Sequence, residues 1–134
     1  MHPLRKLREG GAHTAAQIEA LLTKNVIFES PIFTKAVEGR ERVAIVLAAA
    51  AGVRAGHYTD EVKLDTRTTF LRWTGTVDGH QIESLEIIED DEMGKIVKRT
   101  VALRPLPAVQ LFRDAAYPIL KDEIPDEYWH YADM

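Results

Sequence analysis

The sequence predicts an α+β fold: a conical barrel made of a curved antiparallel sheet, with N-terminal helices on its concave face and a closing C-terminal helix. Three observations support this prediction. The helical patterns come first and the strands follow, without the regular alternation that marks parallel α/β folds. Strand-like runs then succeed one another from Gly56 onwards, separated only by short turns. A helix-like segment with one apolar face comes last. A curved antiparallel sheet with helices packed on one face is expected to form a cone with an open mouth.

Length and composition are those of an ordinary globular domain. The 134 residues suffice for one domain, with 46% hydrophobic and 28% charged residues. A chain of this size buries roughly 70% of its unfolded surface, which is enough for one core. The net charge of −4 argues against a nucleic-acid surface, which needs a concentrated basic face. The absence of cysteine excludes disulfides and thiolate metal sites, and it fits a reducing cytoplasm.

No segment is typical of export or of membrane insertion. Residues 1–11 are basic but lack the apolar run of a secretory signal. The longest apolar run, residues 43–51, is too short to span a bilayer. We therefore expect a soluble cytoplasmic protein with no membrane partner.

A helix is predicted to begin at Thr14. Thr14 and Gln17 have the spacing of a capping box, in which each side chain satisfies a free backbone N–H group. The helix then ends at Asn25, and its apolar face is formed by Ile18, Leu21 and Leu22. The β-branched and aromatic residues 26–28 predict a short strand, which Pro31 stops.

A second, longer helix is predicted after Gly39. Residues 43–51 are nearly all apolar and rich in alanine, which indicates a helix packed on most of its sides. Gly52 is expected to end this helix, because glycine accepts the left-handed conformation at a helix end.

The second half of the chain carries the long strands and the closing helix. The strand patterns cover residues 57–64, 67–77, 81–89 and 95–103. Asp78 and Gly79 suit a primed two-residue hairpin turn, and residues 90–94 form a looser turn. Pro105 fits the first turn of the closing helix, and Pro118 should end or kink it. The apolar face of that helix is formed by Leu106, Val109, Phe112 and Ala116.

The chain is predicted to consist of three segments. Residues 1–13 form an N-terminal extension, residues 14–117 form the domain, and residues 118–134 form an acidic tail with three aromatic residues. The tail either stays unpacked or docks on this subunit or on a partner. We expect it to close the mouth of the cone, because Trp129 and Tyr131 are costly to leave in water.

The chain resembles the nuclear transport factor 2-like superfamily, close to its SnoaL-like and ketosteroid-isomerase-like branches. The matching stretches are "NVIFESPIFTKAVEGRERV", "YTDEV" and "GKIVKRTVALRPLPAVQLF", and with the strand order they cover residues 14–117. The resemblance implies a conical α+β barrel, a deep and mostly apolar pocket, and a homodimer formed through the outer sheet face. It implies no single activity, because such proteins include isomerases, epoxide hydrolases, polyketide cyclases, dehydratases and non-catalytic domains.

The strand end at Ser30 is the first candidate site. In ketosteroid isomerases, the residue before the corresponding proline is an aspartate that acts as the general base. Ser30 stands there in this chain, and a serine without an adjacent base is a weak proton acceptor. If Ser30 faces the pocket, Glu29 faces away from it, because neighbouring strand residues point in opposite directions. The alternative is a plain strand end with a hydroxyl at the pocket rim.

Glu86 is the second candidate. The resemblance places it where the isomerases keep a buried oxyanion-binding aspartate, which puts Ser84, Glu86 and Ile88 inside and leaves Leu85 and Ile87 on the outer face. An apolar wall would raise the pKa of this carboxyl group and make it a proton or hydrogen-bond donor. The alternative is an exposed glutamate.

Arg99 is the expected partner of Glu86. Val97, Arg99, Val101 and Leu103 share one face, which is predicted to point inward, with Val101 as part of the pocket wall. An inward arginine needs a carboxylate, because an unpaired buried charge is very costly. Such a pair would lower the pKa of Glu86. It could orient a substrate or a water molecule, as carboxylate–arginine pairs do in the epoxide-hydrolase branch. The alternative is a purely structural salt bridge. That branch uses a second carboxylate, for which Asp60 qualifies only if its strand faces inward.

Other residues shape the predicted pocket. Trp73 is expected either to line it as an apolar wall or to pack in the core, and Tyr58 either offers a phenol hydrogen bond or lies at the rim. The histidines lack metal-ligand spacing, and phosphate loops and serine-elbow motifs are missing, so no metal and no cofactor are predicted.

Two hypotheses follow for the function. The first is a cofactor-independent isomerase, hydrolase or cyclase that acts on a small, largely apolar molecule, with Glu86 and Arg99 as its polar centre. The second is a non-catalytic ligand-binding or dimerisation module in which that pair joins two strands. Solvent access to the pair distinguishes them, because a catalytic pair needs an open path to the mouth.

Overall fold

The computed structural model describes residues 1–11 and 13–130 and confirms the predicted fold class. Its helices are α1 (Pro3–Glu9), α2 (Ala15–Glu19), α3 (Arg40–Val53) and α4 (Leu106–Leu120), followed by a 3₁₀ turn at Asp126–Tyr128. Its strands are β1 (Leu22–Glu29), β2 (Val37–Glu38), β3 (Ala55–Asp65), β4 (Thr68–Val77), β5 (His80–Asp90) and β6 (Ile96–Arg104).

The strands form one open sheet in the order β2-β1-β6-β5-β4-β3. Neighbouring strands are antiparallel except for β1 and β6, which run parallel. The register of β3 against β4 shifts between Tyr58 and Asp60 and again between Lys63 and Asp65. Such bulges bend and twist a strand, so they help to curve the sheet around the helices on its concave face.

Helix α1 lies within the predicted N-terminal extension, and α2, the helix predicted to begin at Thr14, is shorter than predicted. The capping box is present, because the Gln17 backbone N–H donates to Thr14 Oγ1 (3.2 Å) and the Thr14 N–H donates to Gln17 Oε1 (2.8 Å). However, α2 ends at Glu19, and β1 already begins at Leu22. The helical spacing of the apolar residues was misleading here, because pairing of Leu22 with Ile96 fixes the segment as a strand.

Two other helices extend beyond the residues predicted to end them, and a kink at Pro118 stays a prediction. Helix α3 continues through Gly52 to Val53, and α4 contains Pro118 and runs on to Leu120. The proline lacks an N–H, but the Lys121 N–H still donates to the Tyr117 carbonyl at 2.9 Å, so the helix closes its last turn beyond it. The Asp78-Gly79 turn is confirmed, with φ values of 47° and 77° between the paired residues Val77 and His80.

A pair of glycines makes room for Trp73. Gly56 and Gly75 face each other across β3 and β4. A Cβ on Gly75 would lie 2.4 Å from the Trp73 ring, and one on Gly56 would lie 2.6 Å from it. Both distances are far below van der Waals contact, so the indole lies directly over these two residues only because they have no side chains.

Both ends of the described chain pack against the core. Leu4 of α1 is fully buried, and the His2 side chain caps this helix by accepting the Leu4 N–H. In the tail, Trp129 is 2% exposed and packs edge-on against Phe33 and Tyr117, with ring centroids 4.9 Å and 5.1 Å away. The tail therefore docks on its own subunit as far as residue 130. Tyr131 lies outside the described residues, and the predicted segment boundaries stay predictions.

No helix within residues 1–11 and 13–130 is long and apolar enough to cross a membrane.

Candidate functional site

The inner face of β5 carries the central carboxylate. Ser84, Glu86 and Ile88 are completely buried, whereas Leu85 and Ile87 on the opposite face are partly exposed. The predicted facing of this strand is therefore confirmed, and the exposed alternative for Glu86 is wrong.

Arg99 binds Glu86 within the interior. The Arg99 Nη2 group donates to Glu86 Oε1 at 2.7 Å, and the arginine is only 3% exposed. In the ladder of β5 and β6, Glu86 is opposite Val101 and Arg99 is opposite Ile88, so the two charged residues are diagonal neighbours.

The start of β6 differs from the prediction in one residue. Val97 is partly exposed, although the alternation of the strand predicts that it faces inward with Arg99. Ile96 is buried in its place, because the register of β6 shifts where Asp90 pairs with Ile96.

Both oxygens of the Glu86 carboxylate have partners. Besides Arg99 on Oε1, the Ser84 hydroxyl donates to Oε2 at 2.7 Å, and Arg8 Nη1 lies 3.9 Å from the same oxygen. Burial disfavours the charged form, but the charges of Arg99 and Arg8 together with these hydrogen bonds outweigh it, and the pKa of Glu86 is lowered to about 2. Glu86 is therefore ionised at neutral pH and has no proton to donate.

Two further arginines reach this centre, and neither was predicted from the sequence. Arg8, near the end of α1, donates from Nη1 to the Tyr58 hydroxyl at 2.6 Å. Arg54 directly follows α3, and its Cζ lies 4.5 Å and 4.6 Å from the ring centres of Trp73 and Phe112. Neither belongs to a periodic apolar pattern, and the only sequence signal is the position of each arginine close to a helix end.

Arg54 has no polar partner within residues 1–11 and 13–130. Its Nε atom is buried and has no hydrogen-bond partner among the described residues, and the same is true of Arg99 Nε. Burial and the nearby charge of Arg8 lower the pKa of Arg54 to about 9.

The open space lies beside this centre rather than around it. A cleft of about 520 Å³ lies between the end of α1, the end of α3 and the start of β3. Two voids of about 10 Å³ and 20 Å³ lie deeper in the cone, and each has room for roughly one water molecule. Arg54 borders all three spaces, so its side chain separates the cleft from the interior.

The predicted site residues do not converge on one cavity. Tyr58 and Trp73 line the large cleft, whereas Ser30, Arg99 and Val101 border the larger of the two inner voids. Glu86 borders none of these spaces.

The remaining carboxylates of the predicted site lie outside. Asp60 is 48% exposed and lies 3.8 Å from Arg72, so it is not a second interior carboxylate. Glu29 points away from the interior and pairs with Lys98 at 3.1 Å. Ser30 is half-buried, and its Oγ accepts the Ile32 N–H at 3.4 Å. Within residues 1–11 and 13–130, no histidine or carboxylate is hydrogen-bonded to the Ser30 hydroxyl.

Metal binding has no support in the described part of the chain. Within residues 1–11 and 13–130, no three His, Asp or Glu side chains lie close enough to hold an ion together. His2 is committed to Asp90, with Nε2 and Oδ2 3.0 Å apart. The absence of a metal stays a prediction.

Comparison with solved structures gives a consistent result. An uncharacterized bacterial protein with a cystatin-like fold from Silicibacter pomeroyi DSS-3 matches with a TM-score of 0.81 and 26% identity over 92% of this chain and 89% of that chain. A steroid delta-isomerase from Pseudomonas aeruginosa matches with a TM-score of 0.75 and 23% identity over 81% and 80%. A SnoaL-like protein of unknown function from Burkholderia thailandensis E264 matches with a TM-score of 0.62 and 13% identity over 77% and 91%.

No protein-family model matches the sequence, and no curated protein matches it. The match to the chain from Silicibacter pomeroyi covers nearly the full length of both proteins. Together with the open, curved sheet, these structural matches show that the chain has the α+β fold that the resemblance to nuclear transport factor 2-like proteins implies.

Proposed function

We propose that this protein is a non-catalytic binding protein for a small, largely apolar molecule, which it holds in the cleft beside α1 and α3. The observation that carries the proposal is the separation of the open cleft from the sealed carboxylate. Trp73 and Tyr58 form the floor of the cleft, and Ala48 and Ala51 of α3 form an apolar wall. A concave space with an aromatic floor and a few polar groups is the usual form of a small-molecule site.

The geometry disfavours Glu86 as a catalytic group. Its two oxygens are occupied by Arg99 and Ser84, and it has no contact with the cleft. A general base must come within hydrogen-bond reach of the substrate proton that it removes. The Glu86–Arg99 pair then acts as a cross-strand ion pair between β5 and β6.

A second candidate function is cofactor-independent catalysis of the isomerase, hydrolase or cyclase type. One observation favours it: the Tyr58 hydroxyl accepts a hydrogen bond from the cationic Arg8 at the cleft. A phenol polarised in this way can donate its own proton towards an oxygen that gains negative charge. The test is turnover of a ketone, epoxide or polyketide-like substrate. Turnover by the parent protein and its loss in Tyr58→Phe would favour this function over simple binding.

The binding proposal is tested by filling the cleft. Ala51→Trp places an indole in the cleft from a half-buried helix position, so we expect a folded protein that no longer binds. Backbone NMR spectra of the ¹⁵N-labelled protein with a panel of aromatic fragments give the measurement. In the parent protein, the signals of Gly52, Gly56 and Trp73 should move on addition of fragments.

A matched substitution controls for effects of the added ring. Ala102→Trp introduces the same side chain at an exposed position of β6 and should leave binding intact. Fragments that move no cleft signal in the parent protein, or that bind Ala51→Trp equally well, would contradict the proposal.

We also propose a homodimer formed through the outer sheet face. Val62, Phe70 and Ile87 lie side by side across β3, β4 and β5, and Val62 is 50% exposed. An apolar row on the outer face of a sheet is the kind of surface that a second copy can cover. Ile87→Lys should convert the dimer to a monomer in sedimentation velocity, while Glu89→Lys on the same strand should not. An unaltered mass for Ile87→Lys would rule out this face.

The cytoplasmic location and the lack of nucleic-acid, membrane and cofactor partners stay predictions. Fractionation of the native cells, with detection of this protein by antibody, tests the location.

A further inference from the structure

The centre of the cone carries an excess of positive charge. Arg8, Arg54 and Arg99 border the same small void there, and Glu86 forms ion pairs with Arg99 (2.7 Å) and Arg8 (3.9 Å). Glu9 also lines the cleft, but it is paired with Arg5 at 3.0 Å. This local excess runs against the overall charge of −4, so it does not reflect a basic composition.

Arg54 is the guanidinium whose charge is left unmatched. Arg99 binds Glu86 directly, and Arg8 lies between Tyr58 and Glu86. Arg54 makes no salt bridge or hydrogen bond to any residue in the described ranges 1–11 and 13–130; its ring contacts with Trp73 and Phe112 hold its plane in place. A buried N–H without a partner is costly, and a guanidinium fixed by aromatic rings is already oriented to bind an anion.

We propose that the ligand of the cleft is a small organic acid, with its carboxylate bound by Arg54 and its flat apolar body lying along the alanine wall of α3. The inference rests on the proposed binding function and names the class of molecule that is bound. A carboxylate matches the planar fork of a guanidinium and supplies two acceptors. Ala48, Ala51 and the aromatic floor favour an organic body over a fully hydrated inorganic anion.

The test compares an acid with its neutral analogue. Benzoate and benzamide have nearly the same shape, but benzamide lacks the charge. We expect benzoate to shift the Nε–H signal of Arg54 and the indole N–H signal of Trp73 in ¹⁵N-correlated spectra. It should bind at least about tenfold more tightly than benzamide, because hydrogen bonds between two charged groups are stronger than those to a neutral acceptor. Inorganic phosphate, added alone, should bind more weakly than benzoate.

Two variants with the same loss of charge separate the site from a general effect. Arg54→Met keeps an apolar side chain between Trp73 and Phe112, and it should reduce benzoate affinity about tenfold or more without changing benzamide. Arg72→Met removes a charge from the exposed outer face of β4 and should leave both ligands unaffected.

The outcomes separate this inference from the proposed function. If benzamide binds the cleft as tightly as benzoate, or if Arg54→Met binds benzoate normally, the organic-acid inference is overturned and the binding function stands. If phosphate binds more tightly than benzoate, the site recognises an inorganic or phosphorylated anion and the inference is likewise overturned. If none of the three probes shifts a cleft signal in the parent protein, both the inference and the proposed function fail.

Discussion

Replacing Glu86 with glutamine is expected to lower the free energy of unfolding by about 3–5 kcal/mol, because it removes one partner of a buried ion pair. Glutamine has nearly the same shape, so the loss reflects charge and not packing. Arg99 would remain buried in the interior without its carboxylate, and Arg8 would lose the same partner. Urea denaturation at neutral pH measures the change.

The matched control is Glu83→Gln on the same strand. Glu83 faces the other side of the sheet and is 3.9 Å from the exposed Arg104. Surface pairs of this kind contribute about 0–1 kcal/mol, so the control should be close to neutral. Equal stability of the two variants would show that Glu86 contributes no more to the free energy of unfolding than a surface glutamate does.

The effect of Glu86→Gln should also depend on pH in a defined direction. The pKa of Glu86 falls from 4.5 to about 2 on folding. A group whose pKa is lowered in the folded state adds stability that is complete above the unfolded pKa and is lost as the pH falls through the folded pKa. The gap between the parent protein and the variant should therefore be constant above pH 4.5 and should narrow towards pH 2. A gap that widens in acid would show that the pKa is not lowered.

Trp129→Ala is expected to destabilise the protein by about 3–5 kcal/mol, the usual loss for a large aromatic side chain removed from a core. The indole is almost completely buried against Phe33 and Tyr117, and its Nε1–H donates to the Ile124 carbonyl at 3.1 Å. Thermal unfolding followed by circular dichroism measures the loss. Ile119→Ala, at an exposed position of α4, is the control and should change stability little.

This second prediction also tests the role of the tail. The tail packs over Phe33 and α4, and Thr34 donates to the Tyr128 and Glu127 carbonyls through its backbone N–H (2.7 Å) and its hydroxyl (2.6 Å). None of these residues borders the cleft at Tyr58 and Trp73. Within its described residues 118–130, the tail therefore covers a different part of the cone from the cleft. Unchanged stability in Trp129→Ala would mean that the tail is not part of the core.

The fold could be read from the sequence because its signals are local. The Asp78-Gly79 turn and the alternation in residues 81–89 each depend on neighbours in the chain, and both are found as predicted. The end of α2 could not be read, because Leu22 becomes a strand residue through pairing with Ile96. Such pairing is a tertiary effect that local spacing does not contain.

The residues of the candidate site could be predicted only in part, for the same reason. Glu86 and Arg99 lie on strands whose alternation gives the facing of each side chain, so their proximity followed from pattern and resemblance. Arg8 and Arg54 come from helix ends that meet only in the folded chain. Arginines are common beside helix ends, so the sequence alone does not indicate that these two are buried. Their burial depends on how the helices pack in the folded chain.

The parallel pairing of β1 with β6 has a consequence for how the chain folds. The strands β3 to β6 are joined by hairpins and can associate through contacts between close neighbours in sequence. The first strand must instead wait until residues 96–104 are in place, since these form the edge to which it adds. Closing so long a loop is slow and entropically costly. We therefore expect the meander to form first and the segment carrying β1 and β2 to join it later, so that β1 pairs only after β6 has been synthesised.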